Sequence, residues 1–214
     1  MRQLLILLLF APLTATCQET RTSLGVNMFY GYSGVQYLNA INQDQVQQYE
    51  SGIDVWRMNA FFEYALTEQR KAHIVWGFGF DHSGHANLEA FGNISRRSYR
   101  QYYLYLPVSL KYKWTNHFYS SIGMAGGALI ESRYIEENSV GTYRANDNSF
   151  YREFQLSSTL NLGYEIPLNK NRVLFFEVAG NYNWLGKLTN DAAEDHTQRA
   201  AWQAGLGVGI MKRF

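Results

Sequence analysis

Apolar and polar residues alternate one for one in eight stretches of this chain. The last stretch, Ala200-Ala-Trp-Gln-Ala-Gly-Leu-Gly-Val-Gly-Ile-Met-Lys-Arg-Phe214, sets Trp202, Ala204, Leu206, Val208 and Ile210 on one side. Gln203, Gly205, Gly207 and Gly209 fall on the other, because successive side chains of a strand point to opposite faces. The first stretch opposes Leu24, Val26, Met28 and Tyr30 to Ser23, Gly25 and Asn27. The second opposes Trp56, Met58, Ala60, Phe62, Tyr64 and Leu66 to Arg57, Asn59 and Glu63, and the third opposes Ile74, Trp76, Phe78 and Phe80 to His73, Gly77, Gly79 and Asp81. In the fourth, Leu104, Leu106, Val108, Leu110 and Tyr112 oppose Tyr105, Ser109 and Lys111. The fifth carries Phe118, Ile122, Met124, Ala128 and Ile130 against Ser121, Gly123, Ala125 and Gly127. The sixth carries Phe154, Leu156, Leu160, Leu162, Tyr164 and Ile166 against Gln155, Ser157, Thr159, Asn161 and Glu165. The seventh carries Leu174, Phe176, Val178, Tyr182 and Trp184 against Glu177, Asn181 and Asn183.

The connections alternate as well. Residues 67–71, 115–116 and 168–171 are short, whereas residues 34–52, 82–99, 131–151 and 187–198 are long and polar. An even number of strands with one Trp/Phe/Leu-rich face, tight turns at one end and long loops at the other predicts an all-β fold. Its architecture is an eight-stranded antiparallel transmembrane up-and-down β-barrel, with the short turns in the periplasm. A soluble β-sandwich would turn polar faces to solvent instead.

The amino terminus adds a location. Residues 1–17 combine Arg2, the apolar run Leu4-Leu-Ile-Leu-Leu-Leu-Phe10 and the small-residue exit Thr14-Ala-Thr-Cys17. This predicts a signal peptide over residues 1–17, too short for an ordinary membrane-spanning helix, followed by one barrel domain over residues 18–214. Cleavage after Cys17 leaves Gln18 first and a mature chain without cysteine; lipidation of Cys17 is the competing reading, for which Thr14-Ala-Thr16 is a poor recognition sequence. An exported barrel belongs in the outer membrane of a Gram-negative bacterium. The 16 tyrosines suit its two interfaces. A mean hydropathy of -0.30 is compatible with a membrane barrel, because half of each strand faces inward. A net charge of +1 gives no electrostatic case for a nucleic-acid partner.

At Tyr103-Leu-Tyr-Leu-Pro-Val-Ser-Leu-Lys-Tyr112 and Ser121-Ile-Gly-Met-Ala-Gly-Gly-Ala128 the chain resembles the small outer-membrane barrels of Bacteroidetes, the PorT-like family. That resemblance implies a membrane barrel in the cell envelope. It is silent on function, since members include secretion accessories and surface proteins. Such barrels end on an assembly signal read by the barrel-assembly machinery during insertion, here Phe214. The aromatic residue expected two positions earlier is replaced by Lys212.

Eight strands enclose a lumen that side chains alone can fill. Arg57, Glu63, Lys111, Glu165 and Glu177 all fall on inward faces. Buried charges persist when they are paired, so the expectation is one internal charge network plugging the lumen. Gly123, Gly127, Gly205, Gly207 and Gly209 would give it room; a proton or ion path along the charges is the functional alternative.

The only cluster of catalytic residue types is Phe80-Asp-His-Ser-Gly-His-Ala-Asn-Leu-Glu89. Asp81, His82, Ser83, His85 and Glu89 offer a base, a nucleophile and a carboxylate. The stretch is loosely similar to the His/Ser/Glu set of barrels that deacylate lipid A. Ser83 follows His82 directly, however, so on a regular strand the two would face opposite ways. A metal site at His82 and His85, helped by Asp81 or Glu89, lacks a Cys or a third His, and no metal or cofactor is expected. Ser95-Arg-Arg-Ser-Tyr-Arg100 is a basic run suited to lipopolysaccharide phosphates. The acidic stretch 131–151 lacks the spacing of a calcium loop and reads as a mobile loop. The expected function is therefore a non-catalytic structural or interaction role. The chain would serve as an envelope or secretion accessory with a protein partner, or as a surface barrel, in contact with outer-membrane lipid and lipopolysaccharide. A lipid A acyl hydrolase and a narrow pore are the alternatives.

Overall fold

The computed structural model describes residues 21–38, 49–51, 53–67, 69–91, 93–138, 141–146, 154–184 and 198–214. The predicted signal peptide lies outside them. Ten strands are formed: β1 (Thr22–Leu38), β2 (Tyr49–Ser51), β3 (Ile53–Ala65), β4 (Ala72–Phe91), β5 (Asn93–Lys113), β6 (Phe118–Asn138), β7 (Gly141–Asn146), β8 (Phe154–Pro167), β9 (Arg172–Asn183) and β10 (Gln198–Arg213). β1, β3, β4, β5, β6, β8, β9 and β10 form a ring in which each pairs antiparallel with the next. The ring closes where β1 meets β10, from Ser23↔Arg213 to Leu38↔Gln198. The closed eight-stranded antiparallel barrel expected from the alternation is the fold. Closure matters in lipid, where an unpaired edge would leave backbone groups unsatisfied.

The two faces of each strand separate as the alternation requires. Val26, Met28, Phe78, Leu106, Val108, Ile122, Leu160, Val178 and Leu206 are exposed on the outside. Arg57, Glu63, Asp81, Lys111, Gln155, Glu165 and Gln203 are buried inside. Aromatic residues mark both rims of the apolar band. Tyr112 and Trp114 meet edge to face at 4.8 Å near one end, and Tyr182 and Trp184 at 5.6 Å near the other, where rings with a polar handle are favoured.

Side-chain oxygens build the short turns. Thr115 Oγ1 accepts from the Phe118 N–H at 2.9 Å, and Asn169 Oδ1 accepts from the N–H groups of Asn171 and Arg172 at 2.9 and 2.8 Å. At the same end, the Phe214 N–H donates to the Thr22 carbonyl at 3.0 Å, and the Lys212 ammonium lies 4.8 Å from the Phe214 ring centre. Lys212 thus covers the terminal ring by a cation–π contact.

Pro107 stands in a central strand, a position that denies the ladder one N–H donor. The β4–β5 pairing is interrupted between Trp76↔Val108 and Gly79↔Tyr105 and resumes in the same register. Closure therefore survives the proline.

Parts of three segments expected as loops are strand instead. Within residues 34–52, residues 34–38 extend β1 and residues 49–51 form β2. β4 runs unbroken to Phe91 and β5 begins at Asn93, so residues 82–99 form a hairpin that continues the barrel wall. Residues 131–138 belong to β6, and β7 pairs back onto it from Arg133↔Asn146 to Asn138↔Gly141. The register sets Arg96 opposite Glu137 and Arg97 opposite Glu136. These segments carry no sustained apolar alternation in the sequence, although Ser83 and Ser132 are still buried inside. A β-bulge between Tyr102 and Tyr103 opposite Ile130 also shifts β6, and Ser132 rather than an odd-numbered residue becomes buried.

Candidate functional site: the barrel lumen

Lys111, near the short-turn end of β5, meets carboxylates from the strands two places away on either side, Glu63 of β3 and Glu165 of β8. Its Nζ donates to Glu63 Oε2 and to Glu165 Oε1, each at 2.7 Å. Lys113 Nζ is 3.5 Å from Glu63 and 3.0 Å from Glu165, and Arg213 Nη2 is 2.6 Å from Glu165. His73 ties this cluster to the turn before β4: its Nδ1 lies 2.9 Å from Glu63 Oε1, and its Nε2 lies 2.6 Å from the Arg70 carbonyl oxygen. The ammonium of Lys111 also stands 4.1 Å from the centre of the Tyr119 ring. The Tyr119 hydroxyl in turn donates to Glu177 Oε1 at 2.6 Å.

A second cluster lies toward the long-hairpin end. Arg57 Nε donates to Asp81 Oδ1 at 3.1 Å and Arg57 Nη2 to Gln203 Oε1 at 2.7 Å. The guanidinium is flanked by Tyr105 and Phe29, with ring centres 4.4 and 5.1 Å away. Its planar fork serves two acceptors while its faces meet aromatic rings, a combination that lysine lacks. Above it, Asn183 Nδ2 donates to Gln155 Oε1 at 2.8 Å.

The five predicted charges are therefore all inside but do not form one hydrogen-bonded set. Lys111 joins Glu63 and Glu165, Glu177 is reached through Tyr119, and Arg57 pairs separately. His73, Lys113, Arg213, Asp81, Tyr119 and Gln203 complete the clusters. His73 and Asp81 sit on inward faces legible from the alternation, whereas the contacts of Lys113 and Arg213 depend on how the strand ends converge.

Apolar side chains share the interior. Phe61 and Phe175 meet edge to face at 5.7 Å and pack with buried Val173 and Met211. A cavity of about 80 Å³ remains between the clusters, lined by Asn27, Asn59, Lys111, Tyr119, Asn161 and Glu177 among others. The inward glycines make room mainly for uncharged neighbours. A Cβ on Gly209 would collide with the Phe175 ring, and Gly205 faces Gly31 beneath the Phe29 ring. Gly123 is covered by Ser109 and Gly127 by Gln155. Gly207 alone of the five lies beside a charge, with a Cβ position 3.5 Å from Glu177 Oε2.

The candidate catalytic residues are dispersed. Asp81 is bound to Arg57 inside the barrel. Ser83 is buried on the inner face, its hydroxyl 3.5 Å from Gln101 Oε1. His82 is on the opposite face, stacked on Trp56 at 5.7 Å and tilted against Tyr102 at 4.9 Å. The side chains of His85 and Glu89 lie outside the described part of the structure. Among the described residues, no three His, Cys, Asp or Glu side chains come together to hold a metal ion.

On the outer face of the long-hairpin end, Arg100, Arg133 and Arg144 line a groove with Tyr102. Arg133 bonds both Glu131 oxygens, at 2.8 and 3.0 Å, and this holds the exposed Glu131 carboxyl below its ordinary range.

A closed antiparallel ring with an apolar belt, aromatic rims and a polar, filled lumen defines a transmembrane β-barrel. The chain belongs to the outer membrane protein beta-barrel domain family, which matches residues 18–190. The protein is thus an outer-membrane β-barrel protein, and that location places its outer face against the lipid and lipopolysaccharide of the membrane. No curated protein sequence matches the chain. Among solved structures, the outer membrane protein OprG from Pseudomonas aeruginosa is similar with a TM-score of 0.51 at 9% identity, over 92% of this chain and 97% of that one. The outer membrane protease OmpT from Escherichia coli gives 0.48 at 10% identity, over 94% and 100% of the two chains. Ail, the attachment invasion locus protein of Yersinia pestis, solved with the heparin analogue sucrose octasulfate, gives 0.40 at 13% identity, over 92% and 100%. At these identities the likeness to OprG speaks for the fold alone.

Proposed function

We propose that this barrel acts through its surfaces, as a non-catalytic interaction protein of the cell envelope. It would serve as an accessory of an envelope or secretion complex, or as a surface barrel, in the manner of the PorT-like barrels of Bacteroidetes that its β5 motif resembles. The observation that carries the proposal is the internal engagement of Lys111, Glu63 and Glu165, which fills the lumen where a solute or proton would have to pass. The strand motif has a matching role. Its odd-numbered residues Tyr105 and Lys111 supply a wall of the Arg57 cluster and the centre of the Glu63–Glu165 cluster, while Leu104, Leu106, Val108 and Leu110 face lipid. The separation of His82 from Ser83 speaks against the hydrolase alternative. Phe214, sealed onto β1 through Thr22, is the proposed signal for the barrel-assembly machinery.

The test is affinity purification of the full chain from native outer membranes in mild detergent, with mass spectrometry of the co-eluting proteins. A partner in near-equal amount supports the accessory role and names the complex. A barrel that elutes alone, together with a lipid A mass profile altered by His82→Ala, would replace it with the hydrolase.

A further inference from the structure

The short-turn mouth of the barrel is a cavity of about 560 Å³. Its wall is built from strand ends and turns: Arg21 before β1, Arg70 and Lys71 before β4, Lys113 at the end of β5, and Arg213 at the end of β10. Among the described lining residues, Glu63 is the single carboxylate facing these five cations. The floor does not neutralise them. Glu63 and Glu165 are already shared among Lys111, Lys113 and Arg213, three cations on two carboxylates, and among the described residues no carboxylate pairs with Arg21, Arg70 or Lys71. A concave site of one sign focuses its field and concentrates counter-charges.

A second observation concerns the turn. Arg70 has a φ of 54°, the only positive φ at a non-glycine among the described residues. Gly or Asn adopts that conformation at less cost. A bulky cation is held there, and its carbonyl is fixed by His73, which is itself anchored on Glu63. The turn that presents Arg70 and Lys71 is therefore clamped to the buried cluster, so the two cations are presented on a preorganised support.

We infer that the short-turn mouth is a docking site for a carboxylate-rich polypeptide segment of a periplasmic partner, an inference that deepens the interaction role proposed above. The cations line the mouth together with the inward-facing Ser23, Glu63 and His73, on the lumen side of the wall, which favours a soluble chain over a bilayer headgroup. The mouth is also far larger than one small anion.

The experiment measures fluorescence anisotropy of a labelled hexaglutamate peptide against the full mature chain in phosphatidylcholine nanodiscs, where no anionic lipid competes. Binding is expected at low salt, weakened at least tenfold by Arg70→Glu/Lys71→Glu and lost in half-molar salt. Arg100→Gln/Arg144→Gln, at the opposite end, is expected to leave it unchanged, and a labelled hexalysine peptide is expected not to bind. Failure of the peptide to bind, or equal binding by the Arg70/Lys71 variant, overturns the inference. So does full displacement by inorganic phosphate at equal charge, which would reduce the mouth to a simple anion site. If the double variant fails to fold, Arg21→Gln with Lys71→Gln serves in its place, with the same expected weakening. A partner retained from native membranes by Arg70→Glu/Lys71→Glu would sink the docking site and leave the interaction role standing. Peptide binding without any native partner would do the reverse.

Discussion

Lys111 Nζ and Glu165 Oε1 stand 2.7 Å apart inside the membrane-spanning wall, and both side chains are almost wholly removed from solvent. The same ammonium holds Glu63 at an equal distance. One cation therefore bridges two carboxylates that Lys113 and Arg213 also reach, and its loss removes the most buried positive charge of the cluster.

Lys111→Met is expected to destabilise the barrel by about 3–5 kcal/mol, the usual cost of breaking a buried pair from one side. Thermal unfolding in detergent, read as the temperature at which the folded band disappears from an unheated gel, measures it. Adding Glu63→Gln and Glu165→Gln is expected to restore only part of the loss, because Lys113 and Arg213 then lose their carboxylates. A triple variant no better than Lys111→Met would show that packing, not charge, holds this level together.

Arg57→Leu is expected to lower the unfolding temperature, because Asp81 and Gln203 lose their donor together. Arg57→Lys should rescue poorly. A single ammonium cannot reproduce the Asp81 and Gln203 bonds while also lying flat on Tyr105. Full rescue by lysine would show that charge alone matters at this position.

Gly209→Ala and Gly207→Ala make a matched pair on one strand. At Gly209 the added methyl meets the Phe175 ring and the Val26 carbonyl, whereas at Gly207 it meets only ordinary contacts near 3.5 Å. The first is expected to cost roughly 1–3 kcal/mol, the range of overpacked cores, and the second to be nearly neutral. Urea unfolding of the barrel in lipid vesicles separates them. Equal losses would mean that the glycines serve strand flexibility rather than the fit of Phe175.

The part of the fold set by the lipid solvent was legible in the residues. Leu104, Leu106, Val108 and Leu110 alternate with Tyr105, Ser109 and Lys111 because one face meets hydrocarbon and the other a polar lumen. The same contrast placed Arg57, Glu63, Lys111, Glu165 and Glu177 inside. It vanishes from the sequence at residues 82–99 and 131–138, and those segments read as loops. The partners of each charge were not legible either, since Arg57 on β3 reaches Gln203 on β10 only because β1 closes the ring between them. Pro107 and the bulge opposite Ile130 depend on cross-strand geometry that a one-dimensional pattern does not contain. The separation of Ser83 from His82, by contrast, follows from adjacency on a strand and needed no coordinates.

Planar-bilayer recording of the purified full barrel tests the central claim, a lumen closed by Lys111, Glu63 and Glu165, most directly. A silent bilayer is expected for the wild-type protein, with insertion verified separately by protection of the barrel from protease. Discrete conductance steps whose size changes on Lys111→Met would contradict it and make the interior a pathway.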